Sequence, residues 1–510
     1  MPPELIVVDQ FRGMRRGLRT GVRSSRRNLD TPRDLRNAIV DENGSLWIPP
    51  GPDEEFHAFE EATTPRITLI VNVTSPNMGI VYQTGSNLYY TPTGTGASED
   101  FYHLVNVETH TPVWVIEWGG YLYVGTEDKT WKIEESAVDV WDASELSSDI
   151  PSGFHSYMYK GRRFVVERTN TVWFSNLNEP ENFEEDSWFM VGGESSGGSW
   201  SANPGSVTCL IEYDDYLVIF CTQSIYLFMG TTVDTFQLRR TNSLAGAWSR
   251  DSVVRVEGGI LFFGGTPRGE MGVYLFSGGN SDLVSDGLTA FFRRWDQIGR
   301  GHFEGSEFEQ ATRFIHAVRW NDNYILSGEN IRPESMNPGD ERQVFMYNFK
   351  TNSWTTFDGW DAGPRIGLAR AVPQSDALHI SKDHVVYSTQ EAFCRAPGQR
   401  AYFSLGWSDH GHPAGHHRFL GLKLSGWKTE GHTTTVTFTA RTPDDKQVVH
   451  IRDLGDRVFD NIVFPINLRG NAIDLDFEIK FDEQDGDETQ VVIEQVQLIR
   501  STKGEKLSRE

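Results

Sequence analysis

The chain is poor in cysteine, in helical periodicity and in long apolar runs. It has three cysteines in 510 residues, and so few, in odd number, exclude a scaffold built on disulfides. Cys209 and Cys221 lie in apolar runs, which predicts two small core residues. No stretch approaches the roughly 18 apolar residues that cross a bilayer, and no signal-peptide pattern opens the chain. We therefore expect a soluble protein made in a reducing compartment.

Positive charge is also scarce outside one segment. The formal net charge is -24, so most of the surface is expected to repel naked nucleic acid and anionic membranes. Residues 12–36 are the exception, with nine arginines against Asp30 and Asp34. The rest of the chain is more acidic than the total indicates.

Short apolar runs cut by Gly, Asn and Asp recur along the chain and are typical of β-strands. Each unit reads as a strand, a two-residue turn and a second strand, and a third strand often follows. Units repeat at intervals of about 40 to 65 residues, which is typical of propeller blades. The units lie at residues 118–124, 159–166, 213–219, 256–263, 320–326 and, more weakly, 380–387.

These patterns predict an all-β protein: an irregular β-propeller of about six to eight blades, followed by a C-terminal β-sandwich-like module. A large assembly of β-sandwiches is the alternative. The predicted divisions are an arginine-rich N-terminal arm and lead-in segment (1–60), the propeller (61–400), the sandwich-like module (401–500) and a polar tail (501–510).

Three motifs have the residue types of chemical sites but not their context. Residues 193–197 match G-x-S-x-G, yet the Gly- and Pro-containing sequence that follows cannot begin the helix a nucleophile elbow needs. His410, His412, His416 and His417 share one Gly/Pro-rich loop, where a solvated connection is favoured over a metal site. The acidic run 482–488 lacks calcium-loop spacing. We expect no catalytic, cofactor or metal site, and no enzyme.

The arginine run is interleaved with Gly and Ser, without the aromatic residues that stack on single strands. Contact with DNA phosphates is one interpretation; an arm that docks on an acidic neighbouring subunit is favoured, because the remainder of the chain is so acidic. The candidate docking residues are Arg12, Arg15, Arg16, Arg19, Arg23, Arg26 and Arg27.

Several passages, in order, resemble the tail nozzle and hub proteins of short-tailed bacteriophages, including the packaged-DNA stabilisation (tail tubular protein B-like) type. The resemblance is carried by Asn28 to Leu46, by the VWFSNLNEPENF step at Val172 to Phe183, and by the strand pair and SIY strand within Val207 to Gly230. The LAGAWSRDSV turn at Leu244 to Val253 and the blade at Gly259 to Gly278 continue it.

That resemblance implies a propeller and a structural role in the virion tail, assembled in the host cytoplasm. Six copies would form a tube beneath the tail adaptor of the portal, hold packaged double-stranded DNA, and conduct it during ejection. Tail fibre or tail needle and spike proteins are implied as further partners. An acidic wall suits this role, because it lets a duplex slide without sticking.

Insertions at 184–206 and 328–342 are candidate gates of that channel, from length and composition. Deleting 328–342 should then cause DNA to leak from filled capsids. The candidate gate residues are Glu184, Glu185, Asp186, Glu194, Glu329, Arg332, Glu334 and Asp340. Two other functions stay open: a glycan-binding or sialidase-like propeller of a receptor-binding tail protein, and a cytosolic scaffold propeller that binds host proteins.

Overall fold

The structure is a computed structural model of the chain. It describes residues 5–11, 34–40, 45–49, 54–58, 67–73, 79–92, 102–107, 113–137, 140–167, 170–192, 205–288, 292, 315–328, 342–358, 366–371, 375–382, 385–389, 400–405, 417–429, 433–444, 446–454, 458–470, 472–481 and 490–502.

Five short strands occupy the N-terminal part of the chain. They are β1 (Leu5–Phe11), β2 (Asp34–Arg36), β3 (Ile39–Val40), β4 (Leu46–Ile48) and β5 (Glu54–Ala58).

Four antiparallel sheets of four strands each follow, and we number them blades 1 to 4. Blade 1 contains β6 (Ile67–Val73), β7 (Gly79–Thr84), β8 (Asn87–Pro92) and β9 (Tyr102–Asn106); blade 2 contains β10 (Trp114–Trp118), β11 (Tyr121–Gly125), β12 (Thr130–Ala137) and β13 (Val140–Glu145). Blade 3 contains β14 (His155–Tyr159), β15 (Arg162–Val166), β16 (Thr171–Phe174) and β17 (Trp188–Met190); blade 4 contains β18 (Val207–Tyr213), β19 (Tyr216–Cys221), β20 (Ile225–Met229) and β21 (Gln237–Arg240).

Three more blades complete the set. Blade 5 contains β22 (Gly246–Ala247), β23 (Val254–Val256), β24 (Gly259–Gly265), β25 (Met271–Phe276) and β26 (Ser281–Leu283). Blade 6 contains β27 (Ile315–Trp320), β28 (Asn323–Gly328), β29 (Arg342–Asn348) and β30 (Ser353–Asp358); blade 7 contains β31 (Ile366–Ala371), β32 (Ser375–Lys382) and β33 (Val385–Thr389). Short 3₁₀ turns lie at Val233–Thr235, Arg250–Ser252 and Asp286–Leu288.

The seven blades form a closed ring. The first strands of several neighbouring blades contact one another: β10 contacts β14, β14 contacts β18, and β27 contacts β31. These strands therefore line the axis. Blades 1 and 2 meet through β9 and β13, and blades 4 and 5 through β19 and β22. Strand β31 of the last blade contacts β6 of the first. The fourth strand of blade 7 is β5, which pairs antiparallel with β33. The all-β propeller prediction is therefore confirmed, and the described strands make seven blades.

The two-residue turns predicted from the sequence are present. Trp118 pairs with Tyr121, and Tyr159 pairs with Arg162, which leaves two residues in each turn. Gly119 and Gly120 both have positive φ, and so do Lys160 and Gly161. Two positive φ angles define the type I′ turn, whose twist matches that of the flanking strands.

The C-terminal module is a sandwich of two sheets. Its strands are β34 (Ala401–Ser404), β35 (His417–Lys428), β36 (Thr434–Arg441), β37 (Gln447–Asp453), β38 (Val458–Gly470), β39 (Asp474–Phe481) and β40 (Val491–Thr502). One sheet has the order β3-β4-β40-β35-β38, with β1 also paired to β40; the other runs β2-β34-β39-β36-β37. Phe438 of the second sheet lies 5.1 Å from Phe464 of the first, between ring centroids. The sandwich-like module was predicted from alternation, and this prediction is confirmed.

N-terminal strands join the sandwich to the propeller. Strand β2 pairs antiparallel with β34 and, through one parallel bridge between Arg36 and Thr356, with β30 of blade 6. The Asn37 backbone N–H also donates to the Thr356 carbonyl at 2.8 Å. One apolar cluster accordingly runs from blades 5 and 6 into the sandwich, from Phe263 to Phe477.

Apolar clusters also fill the contacts between most neighbouring blades. Separate clusters lie between blades 1 and 2, 3 and 4, 4 and 5, and 6 and 7. Cys209 and Cys221 are buried members of these clusters, which confirms their predicted place in the core. Within the described part of the chain, no helix has the length and apolarity to span a bilayer.

Candidate functional site

A short turn at one end of the propeller axis joins four blades. We call residues 249–252, which include the 3₁₀ turn between β22 and β23, the axial turn. Its Ser249 hydroxyl donates to the Ile315 carbonyl in blade 6, and the Tyr324 hydroxyl of that blade donates to the Ser252 carbonyl at 2.9 Å. Beside it, Thr208 of blade 4 donates to the Ala247 carbonyl at 3.0 Å.

Arg250 extends this linkage across the axis. Its Nη1 donates to the carbonyl of Phe154, just before β14, at 2.9 Å, and its Nη2 donates to the carbonyl of Val113, just before β10, at 3.0 Å. Its Nε donates to Asp251 at 2.7 Å. Partial burial opposes the charge, yet Asp251 raises the pKa of the guanidinium above its ordinary value. A charged side chain therefore links blade 5 to the backbone of blades 2 and 3 at this end of the axis.

A cysteine and a histidine lie close to Arg250. The Cys209 sulfur is 3.9 Å from His155 Nε2, which donates to the Leu210 carbonyl at 3.1 Å. Burial lowers the pKa of His155 to about 4 and raises that of Cys209 to about 12. The imidazole is thus neutral and the thiol protonated at neutral pH, whereas a nucleophilic cysteine needs a thiolate. Among the described residues, no group of three or more His, Cys, Asp or Glu side chains could hold a metal ion.

The contact between blades 2 and 3, which we call the blade 2–3 seam, has a different construction. The loop between β16 and β17, residues 175–187, crosses onto blade 2, where Glu181 accepts from the Tyr123 hydroxyl at 2.7 Å and from Lys132 at 2.8 Å. Beneath it, Arg163 is fully buried, with its guanidinium 5.2 Å from the Trp114 ring and 5.8 Å from the Phe183 ring. The NLNEPENF step therefore acts as a clamp between two blades.

Three of the eight candidate gate residues lie within the described part of the chain. Strand β17 interrupts the predicted insertion 184–206. Glu184, Glu185 and Asp186 are exposed before β17, at the end of the blade opposite the axial turn, because successive connections in an antiparallel sheet alternate ends. By the same alternation, strands β17 and β28 both end toward the axial-turn end. Glu194, Glu329, Arg332, Glu334 and Asp340 themselves lie outside the described residues.

The arginines proposed for subunit docking also lie outside the described residues, between the end of β1 at Phe11 and the start of β2 at Asp34. His410, His412 and His416 lie outside them as well. His417 begins β35, is buried, and its Nδ1 lies 2.9 Å from Nη1 of the buried Arg500. That contact makes His417 a packed core residue.

Sequence reasoning did not find the axial turn or the buried arginine. Each sits within a passage that carries the family resemblance or beside it, but a lone arginine gives no signal of burial. The only available hint is at Arg162 and Arg163, where two arginines stand at the head of a strand whose remaining residues are apolar.

The chain is similar to known propellers only at a distance. The N-terminal domain of Nup159 aligns over 70% of this chain and 97% of its own, at 9% identity and a TM-score of 0.38. The Pan2 WD40 domain of Neurospora crassa aligns over 68% and 96%, at 9% identity and a TM-score of 0.37. No protein-family model and no curated protein matches the chain. Because these TM-scores are so low, the propeller assignment rests on the strand order and the contacts between blades.

Proposed function

We propose that this chain is a structural subunit of a bacteriophage tail nozzle or hub, which continues the portal channel, retains packaged DNA and conducts it during ejection. The proposal keeps the homohexamer and the adaptor-side partner that the sequence resemblance implies. It assigns the chain no catalytic step.

One observation carries the proposal: the passages that resemble nozzle proteins coincide with the parts that hold the propeller together. The passage at 172–183 forms the clamp on blade 2, and the passage at 244–253 forms the axial turn. The passages at 207–230 and 259–278 form strands of blades 4 and 5. Resemblance that fell on surface loops would support a shared fold only weakly, since loops vary most among related proteins.

The charge of the chain supports the DNA-conducting role. A net charge of -24 gives a repulsive potential toward phosphate, and affinity for duplex DNA would otherwise arise mainly from neutralised phosphates. A subunit that guides a duplex needs low friction rather than affinity. The rival glycan-binding function would need an axial pocket lined by aromatic residues and carboxylates, whereas at the axial-turn end Arg250 donates to backbone carbonyls of blades 2 and 3.

The native mass of the purified protein tests the proposal. We expect a ring of six times the 57.7 kDa chain mass and, by immunogold labelling of particles, a location at the tail end. A monomer or trimer that cleaves glycans would overturn the proposal, and so would absence of the protein from purified virions. Matched variants help: Val233→Ala changes only an exposed side chain and is expected to leave both mass and location unchanged.

A further inference from the structure

The blade 2–3 seam contains two buried N–H groups that face the same way. Arg163 Nη1 and Trp173 Nε1 are buried, and neither has a hydrogen-bond partner among the described residues. Val165 pairs with Trp173, so Arg163, two residues earlier on β15, is on the same face of the sheet and is a diagonal neighbour of Trp173. Diagonal neighbours lie within reach of each other when the side chains are long or aromatic.

Both groups can only donate hydrogen bonds, since neither guanidinium nor indole has an acceptor. The other nitrogens of Arg163 are already placed: Nε donates to the Ser156 hydroxyl and Nη2 to the Thr130 hydroxyl, each at 3.2 Å. A buried donor without an acceptor costs free energy, and a buried charge costs more. The two unpartnered groups therefore call for an acceptor, preferably a negative one.

The charges of the seam also favour a negative acceptor. Arg163 and Lys132 are two cations, and Glu181, the carboxylate near them, is engaged by Lys132 and Tyr123. Burial lowers the pKa of Arg163 only to about 10, so the guanidinium keeps its charge at neutral pH. The seam carries one net positive charge inside a chain whose total is -24.

We propose that the blade 2–3 seam binds a small monovalent anion of the chloride class, held by Arg163 Nη1 and Trp173 Nε1 beneath the 175–187 clamp. The Trp114, Tyr123 and Phe183 rings surround the guanidinium, with centroids 5.2 to 5.9 Å from its central carbon. The site is independent of the nozzle function.

Bromide provides a direct test. Crystals of the full chain grown in sodium bromide should give an anomalous peak within hydrogen-bonding distance of Arg163 Nη1. Absence of that peak overturns the proposal, whether a water molecule or no atom stands there.

Thermal unfolding in potassium chloride and in potassium methanesulfonate at equal ionic strength gives a second test. Chloride should raise Tm by about 2 °C. The rise should shrink in Trp173→Phe, which removes only the indole N–H, and vanish in Arg163→Met. Trp141→Phe is the matched control, since Trp141 Nε1 is also buried and unpartnered among the described residues, yet its ring packs on Tyr90 of blade 1. Equal Tm in both salts for the natural chain, or equal loss in both tryptophan variants, would overturn the assignment.

Discussion

Blade 3 contacts its two neighbouring blades in two different ways. Toward blade 4 it packs Phe164 against Phe228, with ring centroids 5.4 Å apart, and Phe174 against Phe236, at 5.1 Å. Toward blade 2 it buries Arg163 and relies on the Glu181 clamp. The same four strands therefore supply an apolar contact on one side and a charged, hydrogen-bonded contact on the other.

The difference shows that contacts between neighbouring blades of one ring can depend on different kinds of interaction. The stabilisation from an apolar contact is roughly proportional to the buried area, and the contact contains no charges for salt to screen. A seam built on a buried charge depends on every partner being satisfied, and so responds to ions and pH. We therefore expect the ring to open first between blades 2 and 3.

The phenylalanine contact should show the largest loss on mutation. Phe228→Ala removes a buried ring that lies 4.9 Å from Phe189 and 4.8 Å from Phe236, and we expect a loss of about 3 to 5 kcal/mol in the free energy of unfolding. Urea denaturation at low and high salt measures it, and the loss should be equal in both. Val233→Ala, whose side chain is 60% exposed, is the control. A salt-dependent loss would break the contrast between the two faces.

Acid should weaken the contact between blades 3 and 4 at the end where His155 of blade 3 contacts the Leu210 carbonyl of blade 4. The pKa of His155 is about 4 in the folded chain because burial disfavours its charge, against about 6.5 unfolded. Between these two pKa values the unfolded chain binds more protons than the folded chain. The contribution of neutral His155 to stability is therefore fully present above pH 6.5 and is lost as the pH is lowered toward 4. The loss due to His155 is about 3 kcal/mol by pH 4.

Denaturation curves at pH 7, 5.5 and 4.5 measure this effect in the natural chain and in His155→Gln. The variant should have the flatter dependence of stability on pH. Parallel curves would mean that His155 is not buried as described.

The clamp should give the smallest effect. Glu181→Gln keeps an acceptor for Tyr123 but removes the ion pair with Lys132, and both partners are partly exposed. We expect a loss of about 1 kcal/mol or less, which disappears at high salt, again by urea denaturation. Glu184→Gln, on the same loop and exposed, should change nothing. A loss that persists in high salt would indicate packing rather than charge.

The inner part of each blade was predictable from sequence because it follows local rules. Strands such as β15 and β19 are apolar runs, and two-residue turns such as 160–161 are local signals. Outer strands such as β13 and β17 were missed, because residues 142–145 of β13 are exposed and mostly polar, and β17 is only three residues long. Their pairing is decided by the neighbouring strand, not by their own residues.

The site depends still more on distant partners. Arg250 reaches backbone 96 and 137 positions earlier in the chain, and β5 pairs with a strand more than 300 positions later. No spacing rule links such residues, because only the closed ring brings them together. The family resemblance marked the passages at 172–183 and 244–253, but their roles as clamp and axial turn follow from the contacts.

The fourth strand of blade 7 waits for its partner during synthesis on the ribosome. Strand β5 is made early, while its partner β33 is synthesised about 300 residues later, a delay of roughly 15 to 60 s at ordinary translation rates. During that interval an unpaired strand edge is open to wrong partners. Nascent chains that end before residue 385 should therefore be cut readily by protease near residues 54–58, and longer ones should not. The ring therefore closes through a strand made early in synthesis, and it stays open until about three-quarters of the chain has been made.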